Sequence, residues 1–161
     1  MDWPDGCAGT VTNPHSACQQ DDKGDDEGDV MPTTKQIDAI LPFLDRFEAD
    51  TFEVGAWLRQ PGGFSLFEWS DAVSEFHRAL YDNGWISPSF NWVDWQDTAR
   101  QYVGQPQKVD AADVMTIRKL LTTHVRKERF CEGHLTSMFG NGHVVALLRR
   151  LKAIRENSKP A

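Results

Sequence analysis

The sequence predicts an all-α fold, a single compact bundle of roughly five or six helices that follows a disordered acidic N-terminal tail. Apolar residues recur at helical spacing in several segments after residue 31, and no segment shows the strict alternation that marks a strand. The first 30 residues carry eight acidic side chains against one lysine, with few large apolar side chains. Such a segment cannot bury enough apolar surface to offset the entropy lost on ordering. We therefore expect a disordered tail at 1–30, a helical domain at 31–157 and a disordered C-terminus at 158–161.

The first helix is predicted to begin after Thr33 or Thr34 and to end near Phe47. Gln36 completes a capping box with Thr33, and Pro42 should kink the helix. The stretch 52–69 has an irregular pattern and contains the loop signal Gln-Pro-Gly-Gly. It is compatible with a loop and also with short strands.

Two more helices are expected in the middle of the chain. Ser70 can cap the first of them, which should stop where Gly84 can take the left-handed conformation. The second carries Trp92 and Trp95 on its apolar face and should end near Gly104.

The last three helices are expected to form the centre of the core. The first begins at Asp110, and the acidic Asp113 in its first turn suits the positive end of the helix dipole. A short helix covers His134 to Phe139. A Gly-Asn-Gly break then precedes a final helix with a leucine-rich face.

Composition places the chain among ordinary globular proteins, because 40% of its 161 residues are hydrophobic and 25% are charged. Its three cysteines, Cys7, Cys18 and Cys131, are too few and too dispersed for a disulfide framework, so we expect reduced thiols. No apolar run approaches the length that spans a bilayer, and no secretory signal is recognisable at the N-terminus. These features predict a cytoplasmic protein without membrane contact.

Charge is polarised along the domain. Residues 32–113 contain 6 basic and 13 acidic side chains, whereas residues 114–155 contain 9 basic and 2 acidic ones. Either the two halves neutralise each other through surface ion pairs, or the basic half forms a surface for nucleic acid or an acidic protein. The tail is a dispensable extension, or the natural protein starts at Met31, or the tail docks on a basic face of the same protein or of a partner.

One segment gathers more chemistry than packing requires. From His124 to Leu135 the chain carries imidazole, guanidinium, thiol and carboxylate groups, and Asn141 and His143 follow within a few turns. Here the sequence resembles a bacterial and archaeal family catalogued only as a domain of unknown function. The resemblance runs from about Phe76 to about Leu151 and is carried by the following elements: Leu80-Tyr81-Asp82-Asn83-Gly84-Trp85, Trp92 with Trp95, Leu120-Leu121-Thr122, Arg126-Lys127-Glu128-Arg129-Phe130-Cys131-Glu132-Gly133-His134-Leu135, Gly142-His143 and Leu148-Arg149-Arg150-Leu151. It implies a prokaryotic cytosolic protein and supplies no activity or catalytic residue.

Catalytic and metal chemistries receive little support from these residues. The spacing of Cys131 and the histidines matches no zinc pattern, and the helical position of His124 indicates a buried histidine with one hydrogen bond. Cys131 near His134 suggests a nucleophile and a base, but no third group orients them. We therefore expect no metal, no cofactor and no catalytic residue.

Arginine and tryptophan side chains have simpler interpretations. An ion-pair network that includes Arg129 and Glu132 would fix the turn between two helices. The pair Trp92 and Trp95 is most simply part of the core. The Gly-Asn-Gly break suggests a helix-turn-helix, but its second helix begins with apolar side chains, so its arginines could hold phosphates without reading bases.

We therefore predict a non-enzymatic binding or regulatory module that uses the basic C-terminal half for an anionic partner, nucleic acid among the candidates. The alternative is an enzyme with a small pocket around four side chains, Arg129, Glu132, His134 and His143. The candidate binding residues are Arg126, Arg129, Glu132, His134, Asn141, His143, Arg149 and Arg150.

Overall fold

The computed structural model describes residues 30–159, and the structural statements below concern that part of the chain. It is mostly helical, as predicted, but it also contains a two-stranded antiparallel sheet. The all-α prediction was therefore wrong for one segment. The predicted tail lies outside the described residues except for its last residue, and the disorder expected at either terminus stays a prediction.

The described elements are named α1 to α8 and β1 to β2 in chain order. The helices span Thr34–Ile40, Pro42–Glu48, Asp71–Asp82, Gln96–Gly104, Pro106–Val109, Val114–Glu128, His134–Gly140 and His143–Asn157, and the strands span Gly55–Arg59 and Ser65–Trp69.

The N-terminal helix is divided in two by its proline. The capping box is confirmed, because the Thr33 side chain accepts from the Gln36 backbone and the Gln36 side chain accepts from the Thr33 backbone. Pro42 lacks the N–H group that a continuous helix needs, so α1 ends at Ile40 and α2 starts anew. At the predicted kink the helix is divided, and Leu41 between the two parts keeps the αR conformation.

The irregular stretch 52–69 forms the hairpin of β1 and β2. The Gln60 carbonyl accepts from the N–H of Gly63 at 3.1 Å, and Gly62 between them has a φ of 103°. Proline followed by a glycine with positive φ is the pattern of a type II turn. The register pairs Trp57 with Phe67 and Leu58 with Leu66. The alternation typical of a half-buried strand is absent because apolar side chains lie on both faces and several of them, Trp57, Leu58 and Leu66, are exposed.

The helix expected to carry both Trp92 and Trp95 begins later than predicted, at Gln96. The side chain of Asn91 instead donates to Asp94 at 2.7 Å and holds a local turn that competes with the helix. The tryptophans are half-buried. Trp92 stacks on the exposed ring of Phe130 with 5.7 Å between centroids, so it belongs to the rim of the core.

The helix predicted to begin at Asp110 begins later, at Val114, whereas the starts of α3, α7 and α8 agree with the sequence. Ser70 caps α3, and Asp113 caps α6 from just outside its first turn, since its side chain accepts from Thr116 at 2.7 Å. The short helix α5 was not predicted.

As expected, α6, α7 and α8 form the centre of the core. They contribute Ile117, Leu120, Leu121, Val125, Leu135, Met138, Val144, Leu147, Leu148 and Leu151, all at most 1% exposed.

The corner after α3 fastens the N-terminal helices to α6. Gln36 bridges it with its side-chain amide, which donates to the Asn83 carbonyl at 2.6 Å, and with its carbonyl, which accepts from the Trp85 indole at 2.9 Å. Arg118 reaches the same corner and donates to the Gly84 carbonyl at 3.1 Å. The corner therefore depends on the left-handed φ of 69° at Gly84.

We predict that Gly84→Ala lowers the free energy of unfolding by roughly 1–3 kcal/mol, because alanine is strained at positive φ. Its Cβ would also lie 3.1 Å from the Gln36 amide nitrogen. Gly104→Ala is the matched control, since no atom lies within 4 Å of its Cβ position and its φ is not positive. Urea denaturation of both variants tests the prediction, and equal midpoints would contradict it.

Candidate functional site

The arginines of α8 hold the two halves of the chain together. Arg149 is ion-paired with Glu48, and Arg155 contacts both carboxylate oxygens of Asp38, at 2.8 and 3.1 Å. Arg150 donates to the backbone of the α5–α6 connection at 2.9 Å. These contacts support the interpretation that the basic half neutralises the acidic half.

The basic side chains of α6 point inwards. Arg118 is only 7% exposed, and Arg126 donates to the carbonyl of Ser87 at 3.2 Å. Lys127 is buried beside Gln96, and this burial lowers its pKa to about 8. Most of the predicted basic surface of α6 is therefore part of the internal structure.

The turn between α6 and α7 is fixed by Glu128. Its carboxylate accepts from the backbone N–H of Gly133 at 3.0 Å and from that of Leu135 at 2.6 Å, which satisfies donors at the N-terminus of α7. Within residues 30–159 no ion pair joins Arg129 and Glu132. The expectation that these two residues pin the turn by pairing was therefore wrong. Among the described side chains, Glu128 is the acidic residue that supports this turn.

Cys131 lies in the same turn and is disulfide-bonded. The expectation of three reduced thiols is corrected at this position, and its sulfur is already bonded instead of serving as a nucleophile. The remaining cysteines, Cys7 and Cys18, lie outside the described residues.

Three histidines meet inside the junction of α6, α7 and α8. His124 Nδ1 lies 3.0 Å from His134 Nε2, so one imidazole donates to the other. The ring of His143 stands edge-on to that of His124, with 4.9 Å between centroids and an interplanar angle of 87°. The buried His124 with a hydrogen bond was predicted. The convergence of the other two histidines on it was not.

Burial keeps these three imidazoles neutral. It lowers the pKa of His134 to about 3 and that of His143 to about 4, and it lowers the pKa of His124 well below its usual value. The neighbouring imidazoles and Lys127 add to the shifts, because a second positive charge nearby is unfavourable. In residues 30–159 no group of three or more histidine, cysteine or acidic residues could hold a metal ion. In this cluster His124 and His134 are joined by a hydrogen bond, and His143 packs edge-on against His124.

The remaining candidate residues are separated by this arrangement. The side chain of Asn141 accepts from the backbone N–H of His143 at 2.9 Å, so it supports the start of α8. His134 and His143 are buried, whereas Arg129 and Glu132 are exposed. The four side chains of the expected enzyme pocket are thus divided between the interior and the surface.

An open groove of about 810 Å³ lies between the hairpin and the α6–α7 turn. One wall is β2 together with Trp57, and the opposite wall is Glu128, Glu132, Gly133 and Thr136. The Trp69 indole donates to the Thr136 hydroxyl at 3.3 Å and joins the two walls at one end. We call this feature the hairpin groove.

The outer edge of β2 borders the hairpin groove. Hydrogen bonds from Gln60 to Phe64 and from Ser70 to Val54 flank the ladder. In an antiparallel pair hydrogen-bonded and non-hydrogen-bonded positions alternate. The N–H and C=O groups of Ser65, Phe67 and Trp69 therefore point away from β1. No strand of residues 30–159 pairs with them.

The hairpin groove, with Trp57 and Phe67 in its lining, was not predicted from the sequence. A signal for the hairpin itself is present, because two apolar runs flank a Pro-Gly-Gly turn. Glu132 was the one candidate binding residue that reaches the groove. The rest of its lining comes from a segment distant in sequence, so only the folded chain reveals it.

We predict that Glu128→Gln lowers the free energy of unfolding by about 1–2 kcal/mol, because the charged acceptor of two backbone donors is lost. The matched variant Glu132→Gln should leave stability unchanged, since Glu132 is exposed and unpaired within the described residues. Thermal and urea denaturation measure both. The opposite order of effects would restore Glu132 as the residue that pins the turn.

We also predict that stability falls as the pH decreases below about 6.5, the ordinary pKa of histidine. The lowered pKa values mean that His124, His134 and His143 bind protons in the unfolded chain but not in the folded one. Each histidine therefore lowers the free energy of unfolding by up to about 1.4 kcal/mol per pH unit. Between pH 6.5 and 5 the lowered pKa values of Asp38 and Asp113 have no effect, since they act below about 3.8. Urea unfolding at pH 7, 6 and 5 measures the slope. A free energy of unfolding that does not change with pH would contradict the prediction. The variant His143→Gln should show a smaller slope than the unmodified chain.

None of the described helices is both long and apolar enough to cross a membrane.

No curated protein and no solved structure matches the chain. Residues 32–157 match the sequence profile of DUF6508, which is described as a family of unknown function. The match covers most of the 161 residues and includes both the histidine cluster and the hairpin groove. The chain therefore belongs to the family of unknown function DUF6508.

Proposed function

We propose that this chain is a non-enzymatic binding module that takes up an extended peptide segment of a partner protein at the outer edge of β2. The observation that carries the proposal is the row of backbone N–H and C=O groups at Ser65, Phe67 and Trp69, which borders the hairpin groove. An added strand would satisfy these groups, as in other complexes formed by strand addition.

The dimensions of the site suit an added strand. Neighbouring strands lie about 4.8 Å apart, and a groove of 810 Å³ is large enough for several residues of extended chain. A two-stranded hairpin is only marginally stable by itself, and a third strand would extend it. The hairpin also exposes Trp57 by 71% and Leu66 by 50%, so it offers apolar surface beside the backbone groups.

The contacts of the basic residues favour the groove over the basic C-terminal half. Arg149 and Arg155 are ion-paired with the acidic half, and Arg118 is buried. A nucleic acid would have to displace these pairs before it gained phosphate contacts. The enzymatic alternative has less support, because His134 and His143 lie inside the core.

We also propose a bacterial or archaeal protein of the cytoplasm, on the basis of the resemblance described above. The disulfide at Cys131 weighs against a reducing compartment. Thiol titration of the chain isolated under non-reducing conditions tests the location. Three reactive thiols in the unfolded chain would show that the Cys131 disulfide does not form in the cell and would agree with the cytoplasm, whereas a single reactive thiol would contradict it.

The test of strand addition uses the neutral peptide Ac-Thr-Val-Thr-Val-Thr-NH2 and the ¹⁵N-labelled protein. We predict chemical-shift changes at the amides of Ser65, Phe67 and Trp69, with dissociation constants of about 1 mM, because a short flexible peptide loses much entropy on binding. The same peptide with alternate N-methyl groups should not bind, since it cannot donate to the strand edge.

Two variants separate strand addition from other contacts. Ser65→Pro should abolish binding while keeping the hairpin, because the N–H of Ser65 points away from β1. Leu66→Pro is the contrasting variant, since its N–H belongs to the ladder and its loss should disrupt the hairpin itself. The proposal would be overturned if Ser65→Pro bound the peptide as well as the unmodified chain does. It would also be overturned if light scattering showed concentration-dependent pairing of β2 with a second copy.

A further inference from the structure

We propose, on the basis of the proposed function, that the hairpin groove selects an extended peptide that carries a lysine or arginine side chain. Strand addition alone is nearly independent of sequence, because it uses backbone groups. Selection must come from the side chains that line the groove, and these combine acidic and aromatic groups.

In the part of the chain that the structure describes, the charged side chains that line the groove are all acidic. Glu68 stands on the hairpin side, and Glu128 and Glu132 stand on the opposite wall. The two carboxylate oxygens of Glu128 are occupied by the backbone of α7, although its charge remains. Glu132 is exposed and forms no hydrogen bond or ion pair within residues 30–159, so its carboxylate is available to a ligand.

Two basic side chains lie near the groove without lining it. Arg129 follows Glu128 in sequence, and its charge acts on His77, whose ring contacts Trp69. Arg59 lies opposite Ser65 in the hairpin and is exposed. Because the charged side chains that line the groove in residues 30–159 are all acidic, a ligand cation near Glu132 meets an excess of negative charge.

The aromatic part of the lining can receive the same cation. Trp57 and Phe67 are paired across the strands, with ring centroids 5.3 Å apart and an interplanar angle of 68°. This edge-to-face contact holds the Trp57 indole in place while 71% of the residue stays exposed. A guanidinium or ammonium group over such a ring gains a cation–π interaction, and tryptophan is the best aromatic partner.

The position of the selected side chain follows from the strand geometry. Trp57 and Phe67 lie on one face of the sheet, whereas Leu58 and Leu66 lie on the other. A strand added to β2 presents alternate side chains to these two faces. The basic residue must lie on the face of Phe67, and its neighbours in the peptide must suit the apolar surface of Leu66.

The test compares three peptides, Ac-Thr-Val-Xaa-Val-Thr-NH2, in which the central residue is lysine, norleucine or glutamate. We expect the lysine peptide to bind about 3- to 10-fold more tightly than the norleucine peptide, and the glutamate peptide to bind most weakly. Because the contact with Glu132 is exposed, the preference should decrease as salt is raised from about 20 to 200 mM. Shifts of the Trp57 indole and the Glu132 amide provide the readout.

Variants assign the preference to individual side chains. Glu132→Gln should reduce the advantage of lysine over norleucine by about threefold, because one exposed charge pair is lost. The binding of norleucine should not change. Trp57→Leu should also reduce this advantage while keeping an apolar side chain on the hairpin. Glu156→Gln is the matched control, since Glu156 is exposed on α8 and does not line the groove.

Each result decides between the two proposals. Equal affinity for the three peptides would overturn the selection of a basic side chain and leave strand addition intact. An absence of shifts at β2 with every peptide would overturn both. A preference for lysine that is unchanged in both Glu132→Gln and Trp57→Leu would overturn the assignment of the cation to the hairpin groove.

Discussion

The carboxylate of Glu128 is the interaction on which the other parts of this structure depend. By accepting from Gly133 and Leu135 it fixes the angle at which α7 leaves α6. That angle carries His134 into the core, where it meets the other two imidazoles, and it carries Glu132 and Thr136 to the surface, where they form a wall of the hairpin groove. One side chain thus connects the packing of the interior with the shape of the candidate binding site.

Burying polar side chains in the interior costs free energy, and the packing of the surrounding leucines and valines must offset that cost. Three neutral imidazoles and a buried lysine lie among α6, α7 and α8, where burial disfavours every charged form. The surface ion pairs of α8 with α1 and α2 contribute less, because exposed pairs are screened by water and salt. They matter more for charge balance, since they bring the acidic first half against the basic second half.

Sequence patterns predicted the long helices and their ends because these features are local. The capping box at Thr33, the caps at Ser70 and Asp113 and the glycine at Gly84 each act within a few residues of themselves. The hairpin was missed because its exposed apolar side chains erase the alternation of a half-buried strand. The groove and the histidine cluster depend on residues from separate elements, and their distances are set by packing. The charge pattern suggested an anionic partner because a linear sequence does not show ion pairs between residues more than a hundred positions apart, such as those of α8 with α1 and α2.

The hairpin is attached to the helical body at few points, among them the indole of Trp69 and the residue Ser70, which closes the ladder and also caps α3. Its exposed residues make little contact with the core. Mutations at these positions can accumulate during evolution without unfolding the domain, so relatives could diverge in what they recognise while keeping one scaffold. Variation among family members should therefore concentrate on the exposed side chains of β1 and β2, with Trp69 and Ser70 held constant.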